Sequence, residues 1–402
     1  MQDIDYDIII VGSGLVGSTL ACALLESGMR VALVEAKPFP QADNKKNNID
    51  LRTFALTRAS ERILINLGIW DKLSRISAFR EMYVWDASGE IHLKSKEIAE
   101  PTLGYIVEHN VMQTALYERI AEFENLTTYR PTKVESFELT KDEEKAAMQV
   151  HLDNGEVLTS RLLISAEGAN SSIRRMAGIQ SKQRDHGQQA IVATVQTAES
   201  HKETAWQHFL PTGPLAFLPL SDPHTSSIVW SIDTPLAEQL MSLDKKAFHK
   251  ELETAFALKL GAVVESGQRA SFPLQSRHVL NYVQARLALV GDAAHSILPL
   301  AGQGLNLGLL DAATLSEVII NAKNRDFGSY RELRRYERWR KGENLVMLKA
   351  MDGIKSLFGN ESNIVKQARN FGLNFTNNAP ALKQLIMEYA MGLKGDLPRL
   401  AE

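Results

Sequence analysis

Cysteine is almost absent: Cys22 is the single thiol in 402 residues. One thiol closes no intrachain disulfide and supplies no cysteine zinc site. The chain is therefore expected in a reducing compartment, the cytoplasm, and no metal centre is predicted. Charge of one sign is lacking as well. Lys and Arg number 45 against 48 Asp and Glu, a net charge of −3. That balance gives neither the basic field that attracts nucleic acid nor an acidic tail. Long apolar runs are also missing. Ile8, Ile9, Ile10 and Val11 follow an acidic start and form a run too short for a signal peptide. No stretch approaches the roughly 20 apolar residues of a membrane span. No internal repeat and no low-complexity tract interrupts the chain. What remains is an ordinary globular composition, 44% hydrophobic and 23% charged. At about 150 residues per domain, the length suits two or three domains or one large composite.

The chain opens as strand, turn, helix, strand. Residues 6–11 are β-branched and apolar, as a buried parallel strand is. Gly12, Gly14 and Gly17 follow in the spacing GxGxxG, and a helix over 20–25 closes at Gly28. In this context Gly12 permits the tight turn, Gly14 lets the backbone approach a pyrophosphate, and Gly17 lets helix and strand pack closely. The helix start offers N–H groups and a partial positive charge to phosphates. A second strand over 30–34 ends at Glu35, 23 residues after Gly12, where a carboxylate accepts from the hydroxyls of an adenosine ribose. These features predict a dinucleotide without separating NAD from FAD. Further along, 41–48 reads as an exposed polar loop, and helices are expected over 57–67 and 110–123. Strands are expected over 134–139, 148–152 and 161–165, with a hairpin turn at Asp153, Asn154 and Gly155. Alternating strand patterns follow over 191–195, 215–220 and 228–232. A helix over 245–256 and a buried strand over 287–290 come next. Helices dominate from Gly302 to the end.

Two later stretches sharpen the reading. Residues 286–295 run as a strand into Gly291 and Asp292, and Gly302, Gln303, Gly304, Leu305 and Asn306 open a helix. Between the two motifs, 164–174 contains Glu167, Gly168, Ser171 and Arg174. Together they resemble the flavin motifs of the group A flavoprotein aromatic monooxygenases. The resemblance implies FAD, with Asp292 at the ribityl hydroxyls. It also aims the helix near Gly302 at the pyrimidine edge of the flavin, where its positive end favours the anionic reduced ring. Gly291, Gly304, Leu305 and Asn306 belong to the same motif. Arg52 corresponds to an arginine near the flavin, Gln113 to a helix residue contacting FAD, and Val134 to backbone passing the adenine. The 164–174 stretch departs from the pattern: Glu167 stands where the family has aspartate, and Ser165 where glycine is common. A helix cap at Asn170 or Ser171 is the structural alternative there.

Several stretches, 103–108, 205–207, 210–220, 228–231 and 335–338, are similar to the ubiquinone-biosynthesis hydroxylases within that group. The likeness runs over nearly the whole chain, with a lean at 175–179 and 277–284 toward members acting on the demethoxy-quinol intermediate. It implies tightly held FAD, NAD(P)H as a transient co-substrate (no second GxGxxG is present), and transfer of one oxygen from O2 to a polyprenylated phenol or quinol ring. It also implies membership of a ubiquinone-biosynthesis protein complex and peripheral contact with the inner face of the cytoplasmic membrane. The alternatives are a FAD hydroxylase of another, soluble aromatic substrate, and a non-catalytic FAD-bearing scaffold of a quinone-synthesis complex.

The expected fold is α/β. A Rossmann-like FAD-binding domain comes from 1–75, 101–180 and 281–330, a β-sheet substrate domain from 76–100 and 181–280, and a helical C-terminal region from 331–402. His295 and His109 are candidates for deprotonating a phenol, but no catalytic residue is assigned. Phe217, Leu218 and Pro219 are placed to face an aromatic substrate or to fill a sheet core. Residues 331–402 carry a balance of +5 against −8 in 1–330. That excess suits solvated basic helix faces or an anionic membrane surface. Met347, Ala350, Met351, Ile354 and Phe358 form an apolar stripe at helical spacing, suited to membrane contact or to packing on the FAD domain.

Overall fold

The computed structural model describes residues 4–38, 49–86, 89–140, 146–298, 302–322, 325–360 and 362–402. The polar loop expected over 41–48 and the stretch 299–301 lie outside them. Strand Tyr6–Val11 runs parallel between Val31–Val34 and Val157–Ser165. Ile8, Ile9 and Ile10 point alternately to opposite faces and all three have no exposed surface. Both faces are therefore covered, as a parallel sheet requires. The parallel ladder continues through Leu287–Leu289 on one side and Leu126–Tyr129 on the other. Strand Val134–Leu139 pairs antiparallel with Met148–Leu152, which pairs antiparallel with Val157–Ser165. The expected turn at Asp153 to Gly155 joins the last two, with the Gly155 N–H donating to the Leu152 carbonyl at 3.0 Å.

A second eight-stranded sheet carries 89–94, 81–86, 204–210, 213–219, 225–233, 181–197, 263–279 and 295–296, in that order. Its longest strands, Ser181–Thr197 and Val263–Val279, pair antiparallel along most of their lengths. One face packs on helices Thr234–Ser242 and Lys245–Ala255 through Leu215, Phe217, Ile228, Trp230, Phe248 and Leu252. A three-stranded sheet of Thr53–Leu56, Gly104–Glu108 and Ile76–Phe79 lies apart from both.

The C-terminal region is not a solvated tail. Helix Tyr330–Phe358 turns Tyr336, Glu337, Arg340 and Asn344 toward the parallel sheet. The Tyr336 hydroxyl donates to the Leu289 carbonyl at 2.9 Å, and Glu337 accepts from the Tyr282 N–H at 2.8 Å. Arg340 has no exposed surface. The apolar stripe further along this helix packs inward. Met351 is buried, Met347 and Ile354 join it against Leu274 and Leu298, and Phe358 stacks on Phe209 at 3.8 Å. Of the two roles open to that stripe it takes packing, here against the large sheet, and is not free for membrane contact. No described helix is long and apolar enough to cross a membrane.

Candidate active site

The glycine turn works as its spacing predicts. Gly12 has φ +103, and a Cβ there would sit 2.6 Å from the Ala166 carbonyl oxygen. At Gly17 a Cβ would sit 2.0 Å from the Gly12 carbonyl oxygen, so helix Leu15–Glu26 can lie this close to the turn only with glycine. Gly14 differs. Its φ is −67, and a Cβ there would meet nothing within 4 Å. Only an incoming ligand gives a reason for glycine at that point. No side chain caps this helix, and its first turn holds no acidic residue.

Glu35 and Gln113 reach the same residue of the turn. The Glu35 carboxylate accepts from the Ser13 N–H at 2.9 Å and from the Ser13 hydroxyl at 3.1 Å. Gln113 donates to the Ser13 carbonyl at 3.0 Å, and Tyr117 donates to it at 3.2 Å. Both expected cofactor contacts thus hold the turn in shape as well as lining the cavity beside it. The Glu35 oxygens, one of which also accepts from the Lys37 N–H, keep lone pairs for a ribose.

The second motif arrives from the opposite side. Asp292 opens onto the cavity but is otherwise enclosed by protein. That enclosure raises its pKa, while His295, Arg52 and Arg277 pull it down. No described residue bonds its carboxylate. Helix Gln303–Ile320 starts at Gly302, φ +64, again with no side-chain cap, and Gly302, Gly304 and Leu305 line the cavity. Arg52 and Val134 line it too. Two uncapped helix ends, a turn with room above Gly14 and an unpartnered carboxylate fit the phosphates, ribityl hydroxyls and ring edge of FAD. Hydrogen bonds to a charged group contribute about 1.5–3 kcal/mol. Asp292→Ala is accordingly expected to weaken flavin retention by about 10- to 100-fold, read as flavin absorbance per chain after gel filtration. Unchanged occupancy would remove Asp292 from the flavin site.

Three expected contacts stand behind the cavity wall instead: Gly17, Gly291 and Asn306. Gly291 packs on Val16, and its N–H donates to Asp311 at 3.1 Å. Asn306 accepts from the Thr57 N–H at 3.0 Å and the Ser60 hydroxyl at 2.6 Å, and donates to the Ala55 carbonyl at 2.9 Å. It ties the helix start to the small sheet, and its amide has no capacity left for a ligand. Glu167 is occupied in the same way. It accepts from the Ser171 hydroxyl at 2.7 Å and the Ile173 N–H at 3.0 Å, while Ser171 caps helix Ser172–Met176. The glutamate's extra methylene lets it reach over this helix start. Arg174 donates to the Ala293 carbonyl at 3.0 Å, which joins this stretch to the Asp292 loop.

His295 is not a catalytic base here. It is buried, and its Nε2 lies 2.5 Å from an Asp311 oxygen. Arg340 donates to the other oxygen at 3.0 Å, and Asn344 to the same one at 3.1 Å. His109 does line the cavity. Burial, with the Arg52 charge beside it, lowers its pKa, so the ring is neutral at pH 7.

The cavity measures about 1600 Å³, above the roughly 300–1,000 Å³ of a single small-ligand pocket. One lobe is the cradle between the glycine turn and Asp292. The other is apolar, walled by the free face of the large sheet. Strand alternation decides which side chains reach it. On Gly213–Pro219, Ala216 and Leu218 face the cavity, while Phe217 turns away and stacks on Phe256 at 3.8 Å. Pro219 shares Phe217's side, so of the three residues expected at the substrate only Leu218 arrives. Met82, Val84, Leu93, Ala205, Gln207 and Val229 complete this wall, and Gln207 is its polar member. Met351, Ile354, Ile386 and Met391 close the lobe from the C-terminal helices. The sequence reading missed these wall residues, along with Lys37 and Arg130 at the far end of the cradle.

A parallel-sheet nucleotide domain with a glycine turn, a second helix end at the opposite rim and a sheet-walled lobe defines a flavoprotein oxidoreductase. Solved structures share the architecture. A p-nitrophenol 4-monooxygenase, PnpA, from Pseudomonas putida superposes with a TM-score of 0.76 at 18% identity, covering 97% of this chain and 99% of that one. A Klebsiella pneumoniae HpxO variant complexed with FAD gives 0.73 at 18% identity, covering 96% and 98%. The FAD binding domain family matches residues 5–344, and the chain belongs to it. Among its curated relatives is the 3-demethoxyubiquinol 3-hydroxylase of Escherichia coli, 36% identical over 96% of this chain and 98% of that one. Another is the ubiquinone hydroxylase UbiL of Rhodospirillum rubrum, 37% identical over 98% and 92%. The human ubiquinone biosynthesis monooxygenase COQ6 is 33% identical over 96% and 93%. FAD is the cofactor of this chain and NAD(P)H its co-substrate, and the chain is an FAD-dependent aromatic monooxygenase.

Proposed function

We propose that this monooxygenase hydroxylates the aromatic ring of a polyprenylated phenol or quinol intermediate of ubiquinone biosynthesis. The observation that carries this reading is the apolar lobe, which continues from the flavin cradle past Leu218 and Met351 to Ile386. A small soluble phenol needs a pocket with several polar anchors, whereas an isoprenoid tail needs an apolar passage of this kind. The near-full-length likeness to ubiquinone-pathway hydroxylases supports the same substrate class. FAD held in this cradle would supply the redox chemistry, hydride acceptance from NAD(P)H and activation of dioxygen. The chain's own residues bind and exclude water. Glu35, Gly14 and Asp292 hold the cofactor, the helix end at Gly302 favours negative charge on the ring edge, and the sheet wall keeps the reacting ring dry. Gln207 offers a hydrogen bond to a ring oxygen. Residues 76–100 and 181–280 act as the substrate domain in this scheme. A substrate of this class resides in a membrane, so the enzyme works in peripheral contact with one, alongside other proteins of the pathway.

Purified holoprotein supplied with NAD(P)H, isotopically heavy dioxygen and a prenylated phenol is expected to place one labelled oxygen on the ring, detected by mass spectrometry. NAD(P)H oxidation with label appearing only in a soluble phenol would overturn the proposal.

A further inference from the structure

The two last long helices, Asn363–Asn377 and Pro380–Ala390, are anchored on their inner sides. Asn374 and Asn377 accept from the Glu90 and His92 backbone N–H groups and cover the open edge of the large sheet. Arg369 pairs with Asp86, and Lys383 with Glu97. The outward sides are apolar. Phe371 is 72% exposed, Phe375 56% and Tyr389 59%, with Leu382 and Leu385 exposed as well. Phe371 and Phe375 stack on each other at 6.1 Å in the open. Monomeric surfaces rarely leave this many large apolar groups together without a use.

We propose that these outward faces are the surface by which the enzyme seats on a lipid bilayer, and that they adjoin the mouth through which its substrate enters. The proposal rests on the polyprenylated-substrate reading. Two observations select a bilayer as the occupant. The first is charge. No Asp or Glu occurs from 362 to 387, and the Arg369 and Lys383 cations are turned inward to protein partners. The carboxylate on the second helix, Glu388, is only partly exposed and paired with Lys394, so the outward faces carry no unpaired carboxylate to repel anionic headgroups, and they carry aromatic rings that suit the interface. The second is continuity. Ile386 is exposed on the second helix and also lines the cavity, as do Ala390 and Met391 one turn further on. An apolar tail leaving the bilayer would meet protein at Ile386 without crossing water.

The test is flotation of full-length holoprotein with vesicles of phosphatidylcholine and phosphatidylglycerol, in the absence of substrate. The wild type is expected to float. The triple variant Phe371→Ser, Phe375→Ser, Leu385→Ser is expected to lose vesicle binding by about tenfold or more, with flavin content unchanged because these side chains touch neither cavity nor core. Its hydroxylation of a short-tailed substrate in solution should match the wild type, while turnover of a long-tailed substrate held in vesicles should fall with binding. Equal flotation of wild type and variant would overturn the proposal. So would a wild type that stays off vesicles, or a variant whose only change is in oligomeric state, which would assign the faces to a second copy. Patch-dependent flotation without ring hydroxylation would leave this surface standing and sink the substrate reading instead.

Discussion

Gly14→Val is expected to empty the flavin site while leaving the apoprotein as stable as the wild type. The backbone at Gly14 already has a φ any residue adopts, and the space above it is open to 4 Å. The Cβ of a valine there meets nothing in the protein within 4 Å, but the side chain stands where a pyrophosphate must approach the backbone. Affinity for FAD should fall at least about 100-fold, close to 2.8 kcal/mol. Gly17→Val is the control. Its Cβ would lie 2.0 Å from a carbonyl oxygen of the turn, so the fold itself should fail. Flavin absorbance per chain, set beside melting of the two apoproteins, separates the cases. A Gly14→Val protein that keeps its flavin would show that this turn does not hold the dinucleotide.

Asp311→Ala should cause a large loss of stability while leaving a protein that still folds. Asp311 has no exposed surface and holds His295, Arg340, Asn344 and the Gly291 N–H at once. Removing it leaves the buried guanidinium with only the solvent-exposed Glu343 as a carboxylate partner, which costs about 3–5 kcal/mol. A fall in Tm on the order of 10 °C follows. Burial pushes the Asp311 carboxyl up, but His295, Arg340 and Asn344 outweigh burial and bring it from 3.8 to about 2. The folded value is the lower one. The contribution is therefore complete above the unfolded value and is lost as pH falls from 3.8 toward about 2. Asp311→Ala should remove that part of the acid limb of the stability curve. Because Asp311 fixes the Gly291 N–H, the variant should also loosen the Asp292 loop and release flavin. A variant that melts like the wild type would show that helix Tyr330–Phe358 is held by other contacts.

The nucleotide turn was legible because its constraints are local. Gly12 and Gly17 answer to atoms a few residues away or to the adjoining strand end, and the spacing records that. The roles of Glu35 and Gln113 were legible only in part, since Gln113 meets Glu35 at Ser13, a residue 100 positions away in sequence. Asn306 and His295 look like ligand or proton donors in isolation, and what occupies them, Thr57 and Asp311, is set by tertiary packing. Strand Val263–Val279 escaped because both of its faces carry polar residues, so the alternation that betrays a half-buried strand is missing. The Met351 stripe stayed open between membrane contact and packing for a related reason. Buried Arg340 and Asn344 break the amphipathic pattern of their helix, and the sequence does not say which face is inside.

The central claim is oxygen insertion into a prenylated quinone precursor, and it is tested most directly by mass spectrometry of quinone lipids from an aerobic strain lacking this protein. The account predicts accumulation of a precursor short of one ring oxygen, restored by the wild-type chain but not by Gly14→Val. Rescue by that flavin-site variant would point to a scaffold. An unchanged quinone pool, with no paralogue compensating, would contradict the account and favour a soluble-phenol hydroxylase.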